Sequence, residues 1–175
     1  TFTVNVATPG PAAGDSTPSM LNFAGTVSGA ANLIKTGANW NASAQYNTIS
    51  ARGVPSILRL SGTNTYTGAT IITAGTVEGG SDRSFGATLA APVANSIQLN
   101  GGTLSAYQSF TTDPNRGITL TAASSLNAQP GVEFNIVSPI VGAFGLTRLA
   151  SETPVGTVVL GAANTFSSYN VTTAN

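Results

Sequence analysis

Apolar and polar residues alternate along this chain in short runs, each broken within a few positions by Gly, Asn, Ser or Pro. Residues 1–6 read T-F-T-V-N-V, 56–60 S-I-L-R-L, 96–99 S-I-Q-L, 117–121 G-I-T-L-T and 157–160 T-V-V-L. Runs of β-branched and aliphatic residues closed by turn formers predict short strands. No window sustains a helical period with caps. The expected fold class is all-β, and the short, fairly regular spacing suits a sandwich, a barrel or a solenoid.

Internal similarity favours the solenoid. Leu60-Ser-Gly-Thr-Asn-Thr-Tyr66 returns as Leu160-Gly-Ala-Ala-Asn-Thr-Phe166, and the match runs on through Ile71/Val171 to Ala74/Ala174 at a constant offset of 100. A second match, at an offset of 113, pairs Asn22 with Asn135, Val27 with Ile140, Gly29 with Gly142, Leu33 with Leu146 and Lys35 with Arg148. Two degenerate copies, 21–77 and 134–175, imply stacked units that share one core. The offsets differ by 13 residues, which places an insertion between Lys35 and Leu60. The polar, Gly-free segment 38–51 fits as a lateral loop. Coils of ~20–25 residues and strands ~4.8 Å apart predict about eight coils in a rod of roughly 35–40 Å. The expected interior is Leu58, Leu60, Ile71, Val77, Ile97, Leu99, Leu104, Ile118, Leu120, Ile136, Ile140, Val159, Leu160 and Val171, with inward asparagines bonding to the coils above and below.

Composition changes the picture in one respect. Charged residues are only 7 % of the 175, six basic against six acidic, scattered and without runs of one sign. A phosphate-neutralising groove needs clustered Lys and Arg, so nucleic acid is not an expected partner. The same sparsity argues against an anionic membrane surface, and no segment approaches the ~18 apolar residues of a membrane helix. Neutrality favours association. The chain opens on Thr1 with neither Met nor a signal-like segment and is expected to be processed or part of something longer. Low Lys and Glu content points to secretion.

In order, Leu33-Ile-Lys-Thr-Gly37, Leu58-Arg-Leu-Ser-Gly62, Asn64-Thr-Tyr-Thr-Gly68 and Ala74-Gly-Thr-Val77 resemble the strand repeats of bacterial autotransporter passengers and related large surface proteins. The segment 95–104, N-S-I-Q-L-N-G-G-T-L, looks like a further coil of that kind. The later copy departs from the pattern, with Leu149-Ala150 in place of Thr36-Gly37 and Ser167-Ser168 in place of Thr67-Gly68. The resemblance implies a right-handed parallel β-helix, export to the cell surface or beyond, and a stalk or scaffold role without catalytic residues or cofactors.

The candidate chemistry agrees. Without His or Cys, no Ser-His-Asp or Cys-His arrangement can be built. Lys35, the single lysine, matches Arg148, so a charge is kept rather than a nucleophile. Asp82-Arg83 and Asp113-Pro-Asn-Arg116 read as turns, although coiling can bring an Asp and an Arg together. The glycine pairs 79–80 and 101–102 lack the helix and lysine of a phosphate loop. The aspartates stand singly, so no metal site is expected. Threonines at 63, 65 and 67 fall at turn-like positions rather than in an ice-binding array.

The expected function is a non-catalytic extracellular rod, stalk or filament segment. The alternative is an adhesin that binds glycan or host matrix through side loops, with Trp40 and Tyr46 of the insertion as contact residues. The opening strand, Thr1, Phe2, Thr3, Val4, Asn5 and Val6, is the kind of strand that the second copy lacks after Thr173. It is therefore a candidate for head-to-tail joining of copies, or for contact with flanking coils.

Overall fold

The computed structural model describes residues 1–5, 19–37, 56–150 and 155–173. Sixteen strands lie among them in chain order. They open with β1 (Phe2–Asn5), β2 (Ser19–Phe23), β3 (Leu33–Thr36), β4 (Ser56–Leu60), β5 (Thr70–Ile72) and β6 (Thr76–Gly79). Next come β7 (Val93–Leu99), β8 (Thr103–Ala106), β9 (Phe110–Thr111), β10 (Arg116–Leu120) and β11 (Ser124–Ala128). The last are β12 (Glu133–Ile136), β13 (Ile140–Val141), β14 (Gly145–Ala150), β15 (Thr157–Leu160) and β16 (Ser168–Thr173). The described helix is a single 3₁₀ turn, Asp82–Phe85.

All pairings are parallel. Sheet A runs β1-β3-β5-β7-β10-β13, sheet B β16-β14-β11-β8-β6-β4-β2, and sheet C β15-β12-β9. The chain visits B, C and A in turn, and each strand then pairs with its counterpart one circuit on. Thr103 pairs with Ser125, Ile118 with Ile140 and Phe110 with Phe134, steps of 22, 22 and 24 residues. This all-β arrangement of parallel sheets with almost no helix is compatible with a β-solenoid. The step from Leu33 to Thr70 is longer, 37 residues, yet the register across it is kept. The predicted loop 38–51, with Trp40 and Tyr46, lies in that step and outside the described residues.

Period-two alternation puts one aliphatic file over another. On sheet B, Leu58, Val77, Leu104 and Leu126 stack in register, each 0 % exposed. On sheet A, Ile97, Ile118 and Ile140 form one file and Ile72, Leu99 and Leu120 the next. Phe85, Phe110 and Phe134 make an aromatic stack, with centroids 6.2 and 4.9 Å apart. The inward file beside Leu60 shrinks to Gly79, Ala106 and Ala128. The reason is visible at Gly79, where a Cβ would lie 2.3 Å from the Phe85 ring.

Three expected core positions are corrected. Ile71 points outward and its neighbour Ile72 is the buried residue, because Ile72 is in register with Lys35 and Leu99. Val159 is 39 % exposed, since Phe134 and Ile136 pair with Val158 and Leu160, which turns Val159 to the outer face. Val171 does lie in an inward file, opposite Arg148, but β16 is terminal in its sheet and leaves it 57 % exposed. Leu160 is partly buried against the core, and the other ten expected residues are buried.

The polar residues bind circuits together. Asn64 accepts the Val27 amide at 2.8 Å and donates to the Ser84 carbonyl at 2.6 Å, so one side chain joins the circuits on both sides. Asn164 accepts the Ile140 amide in the same way. Other matched pairs occupy different places: Leu60 is on sheet B and Leu160 on C, while Lys35 is on A and Arg148 on B. The resemblance between the copies is therefore one of strand–turn–strand units, and it is out of phase with the circuit. Leu60→Ala and Leu99→Ala are each expected to cost about 2–5 kcal/mol by opening a cavity in a stacked file. Chemical denaturation checks this, and melts like the parent's would refute the assignment.

Candidate functional site

Among the described residues, Lys35, Arg59, Glu78, Asp82, Arg116 and Arg148 go inward or bond across circuits. Lys35 follows Val4 and precedes Ile72 in an inward file of sheet A, and is 0 % exposed. Its ammonium donates to the carbonyls of Thr36 (2.5 Å), Gly37 (2.9 Å) and Ala74 (3.2 Å) and to Ser56 Oγ (2.8 Å). Ser56 Oγ in turn donates to the Gly37 carbonyl at 2.7 Å. Gly37 and Ser56, which bracket residues 38–55, therefore meet beneath the lysine. Gly75 closes this cradle at φ +71°, and a Cβ there would lie 2.5 Å from both Lys35 Nζ and Ser56 Oγ. Burial lowers the Lys35 pKa from 10.5 to about 8.

Coiling brings Asp82 and Arg116 together from 34 positions apart. Arg116 Nε and Nη2 donate to the two Asp82 oxygens at 2.6 and 2.9 Å, the planar fork matching the carboxylate. The guanidinium also donates to the carbonyls of Phe85 (2.8 Å) and Ala87 (2.9 Å) and is almost fully buried. Asp82 Oδ1 accepts the Asp113 amide as well, at 2.9 Å. The two turn signals of the sequence are thus halves of one ionic clamp. Arg83 takes another direction, with Nη2 3.5 Å from the Asn64 carbonyl.

A second clamp lies on the outer face of sheet B. Arg59 donates through Nε (3.0 Å) and Nη2 (2.8 Å) to Glu78 Oε2, and Gln129 donates to Oε1 at 3.0 Å. The Arg59 guanidinium lies 4.4 Å from the centre of the Tyr107 ring, a cation–π distance. Sequence reading missed this group. Its signal was present: Arg59 and Glu78 are 19 residues apart, one circuit, in strands of matching pattern. Arg148 completes the set, donating to the Gly156 carbonyl at 2.6 Å and to Asn127 Oδ1 at 3.1 Å, with burial lowering its pKa.

Of the candidate joining strand, Phe2–Asn5 is β1, paired along one edge with β3, with Val4 buried; Val6 lies outside the described residues. An apolar depression of about 200 Å³ beside it is lined by Phe2, Val27, Leu33 and Tyr66. That is below the ~300–1,000 Å³ of ligand pockets. Among the described residues, no three His, Cys, Asp or Glu side chains gather as metal ligands, and no helix is long and apolar enough to cross a membrane.

Parallel sheets tied strand to strand by ionic and amide clamps are compatible with a β-solenoid. Residues 56–78 match the family model described as Passenger-associated-transport-repeat, consistent with autotransporter passenger repeats. The matched span runs from Ser56, the start of β4, through β5 to Glu78 in β6, which pairs with Arg59. That repeat family is not known as catalytic, and such passengers are typically surface or secreted. No curated protein and no solved structure matches the chain.

Proposed function

We propose that the chain is a non-catalytic segment of a right-handed parallel β-helix, a rod, stalk or filament element of an extracellular or bacterial cell-surface protein. In this reading the rod has about eight coils, with β1 and β16 as partial coils at its two ends. One observation carries the reading: four of the six cations are bonded into joints that hold the rod together. A catalytic cleft would gather such groups around a space for substrate. The family match at 56–78 agrees with it.

In this reading the rod extends by strand addition. β1 and β16 are terminal in sheets A and B, and a terminal parallel strand offers a row of backbone groups to a second copy or to flanking coils. Head-to-tail contacts of this kind do not close, so they build filaments. Electron microscopy at rising concentration tests the idea on the intact chain and on a chain lacking residues 1–6. The truncated protein is expected to stay folded and lose filaments; filaments that persist unchanged would sink it.

The meeting of Gly37 and Ser56 favours a second reading, recognition of glycan or host matrix. The residues between them in sequence include Trp40 and Tyr46. On a glycan array the chain would bind a subset of sugars and Trp40→Ala would lose them. Identical patterns for both proteins would refute the role.

A further inference from the structure

The charges of this rod are distributed unevenly around its axis. Sheet B carries Arg59 and Glu78 on its outer face, and the C side carries Asp82, Arg83, Asp113 and Glu133. On sheet A both buried cations, Lys35 and Arg116, belong to the interior. The outward file of sheet A is Thr3, Ile34, Ile71, Gln98, Thr119 and Val141, in register across all six strands. Thr36, Thr73, Asn100 and Thr121 follow at the strand ends. Among the described residues this face holds no charge.

Its polarity is also lower than its composition suggests. Thr36, Thr73, Thr119 and Thr121 donate their hydroxyls to carbonyls of Val4 (3.4 Å), Lys35 (2.8 Å), Ala94 (2.8 Å) and Leu99 (3.3 Å). Those hydroxyls are satisfied within the rod, so covering them strands no donor. An uncharged face of Ile, Val and mostly bonded Thr remains, with the Gln98 amide near its middle.

We infer that the outer face of sheet A is a lateral contact between rods, and that its partner is the same face of a second copy of this chain. A charged partner would lose hydration here and gain no counter-charge. The complementary surface must be equally uncharged, and this chain supplies one. An isologous pairing about a two-fold axis sets sheet A against sheet A, where the Gln98 amides of two copies can exchange hydrogen bonds. Five steps of ~4.8 Å by strands of roughly 15 Å give about 350 Å² of face per copy, less than the ~800 Å² per partner of a standard stable interface. Association of one segment is therefore weak, and it strengthens with concentration and with the number of coils engaged.

Sedimentation velocity on the intact chain at rising concentration tests this. The parent is expected to shift reversibly from monomer towards dimer. Ile71→Lys and, separately, Gln98→Lys put like charges face to face and are expected to weaken that association by more than about tenfold. Gln98→Lys replaces a side chain that is already polar and half-exposed, which protects the test against simple unfolding; circular dichroism verifies the fold. Val159→Lys adds the same charge on the outer face of sheet C and is expected to associate like the parent. A parent that stays monomeric at every concentration, or Lys variants that associate unchanged, would overturn the inference. So would an equal loss in Val159→Lys, which would trace the effect to net charge.

Discussion

Asp82→Asn is expected to destabilise the protein by about 3–5 kcal/mol, because it removes the one full counter-charge bonded, among the described residues, to a guanidinium that is 1 % exposed. Asparagine keeps the shape and can still accept the Asp113 amide, so the substitution isolates the charge from the packing. For a chain of this length, about 2–4 °C of melting temperature accompany each kcal/mol, and the midpoint should fall by roughly 10 °C. The clamp ties the 3₁₀ turn to β10, and Asp82 also holds the Asp113 amide, so loss of the charge loosens the C–A corner over two circuits. Arg116→Met on the Asp82→Leu background should recover part of the loss, since apolar replacement of both partners leaves no buried ion. A melt unchanged by Asp82→Asn would show that the guanidinium is solvated and the pair superficial.

The parts of this architecture that obey a local rule were legible in the sequence. Alternation gave the strands around Leu58, Ile97, Leu99, Ile118 and Leu120, and their inward faces followed, because the side-chain period of a strand is two. The same rule explains the errors. Ile71 and Ile72 are adjacent aliphatics, as are Val158, Val159 and Leu160, and parity cannot be fixed inside such a run without knowing which residue stands opposite. The register partners Leu99 and Ile136 decide it, and they come from other circuits. Lys35 was recognised as a kept charge, but its burial was invisible, since no composition rule places an ammonium in a file between Val4 and Ile72. Its position depends on three carbonyls whose directions are set by the corners at Gly37 and Gly75. The Asp82–Arg116 clamp, spanning 34 residues, joins a turn to a strand of another circuit, and repeats matched at offsets of 100 and 113 carry no signal for that pairing.

Lys35 gives the chain an unusual dependence of stability on pH. Its ammonium is buried among carbonyls and a hydroxyl, with no carboxylate among its bonded partners. Desolvation outweighs those bonds and sets the folded pKa at about 8 against 10.5 for the ordinary side chain. Between these values the unfolded chain binds the proton and the folded chain does not, so stability rises with pH across that window. Below pH 8 both states are protonated and Lys35 adds no slope. A shift of this size corresponds to at most about 3 kcal/mol, gained progressively from pH 8 upwards. Tyr66 then acts with the opposite sign. Burial raises its phenol to about 12 from 10.0, so above pH 10 the unfolded chain releases a proton that the folded chain keeps, and stability falls. The expected profile has its maximum near pH 10, far above the usual optimum of ~5–8. With no Cys, no His and one lysine, the Lys35→Met variant isolates the contribution of Lys35 across this window. Urea denaturation at half-unit steps from pH 7 to 11 measures the profile. Lys35→Met should abolish the rise between pH 8 and 10 while keeping the fall above it, and Tyr66→Phe should keep the rise and lose the fall. A parent profile that is level from pH 8 to 10 would mean that the carbonyl cradle fully compensates the buried charge, and the burial argument for Lys35 would be wrong.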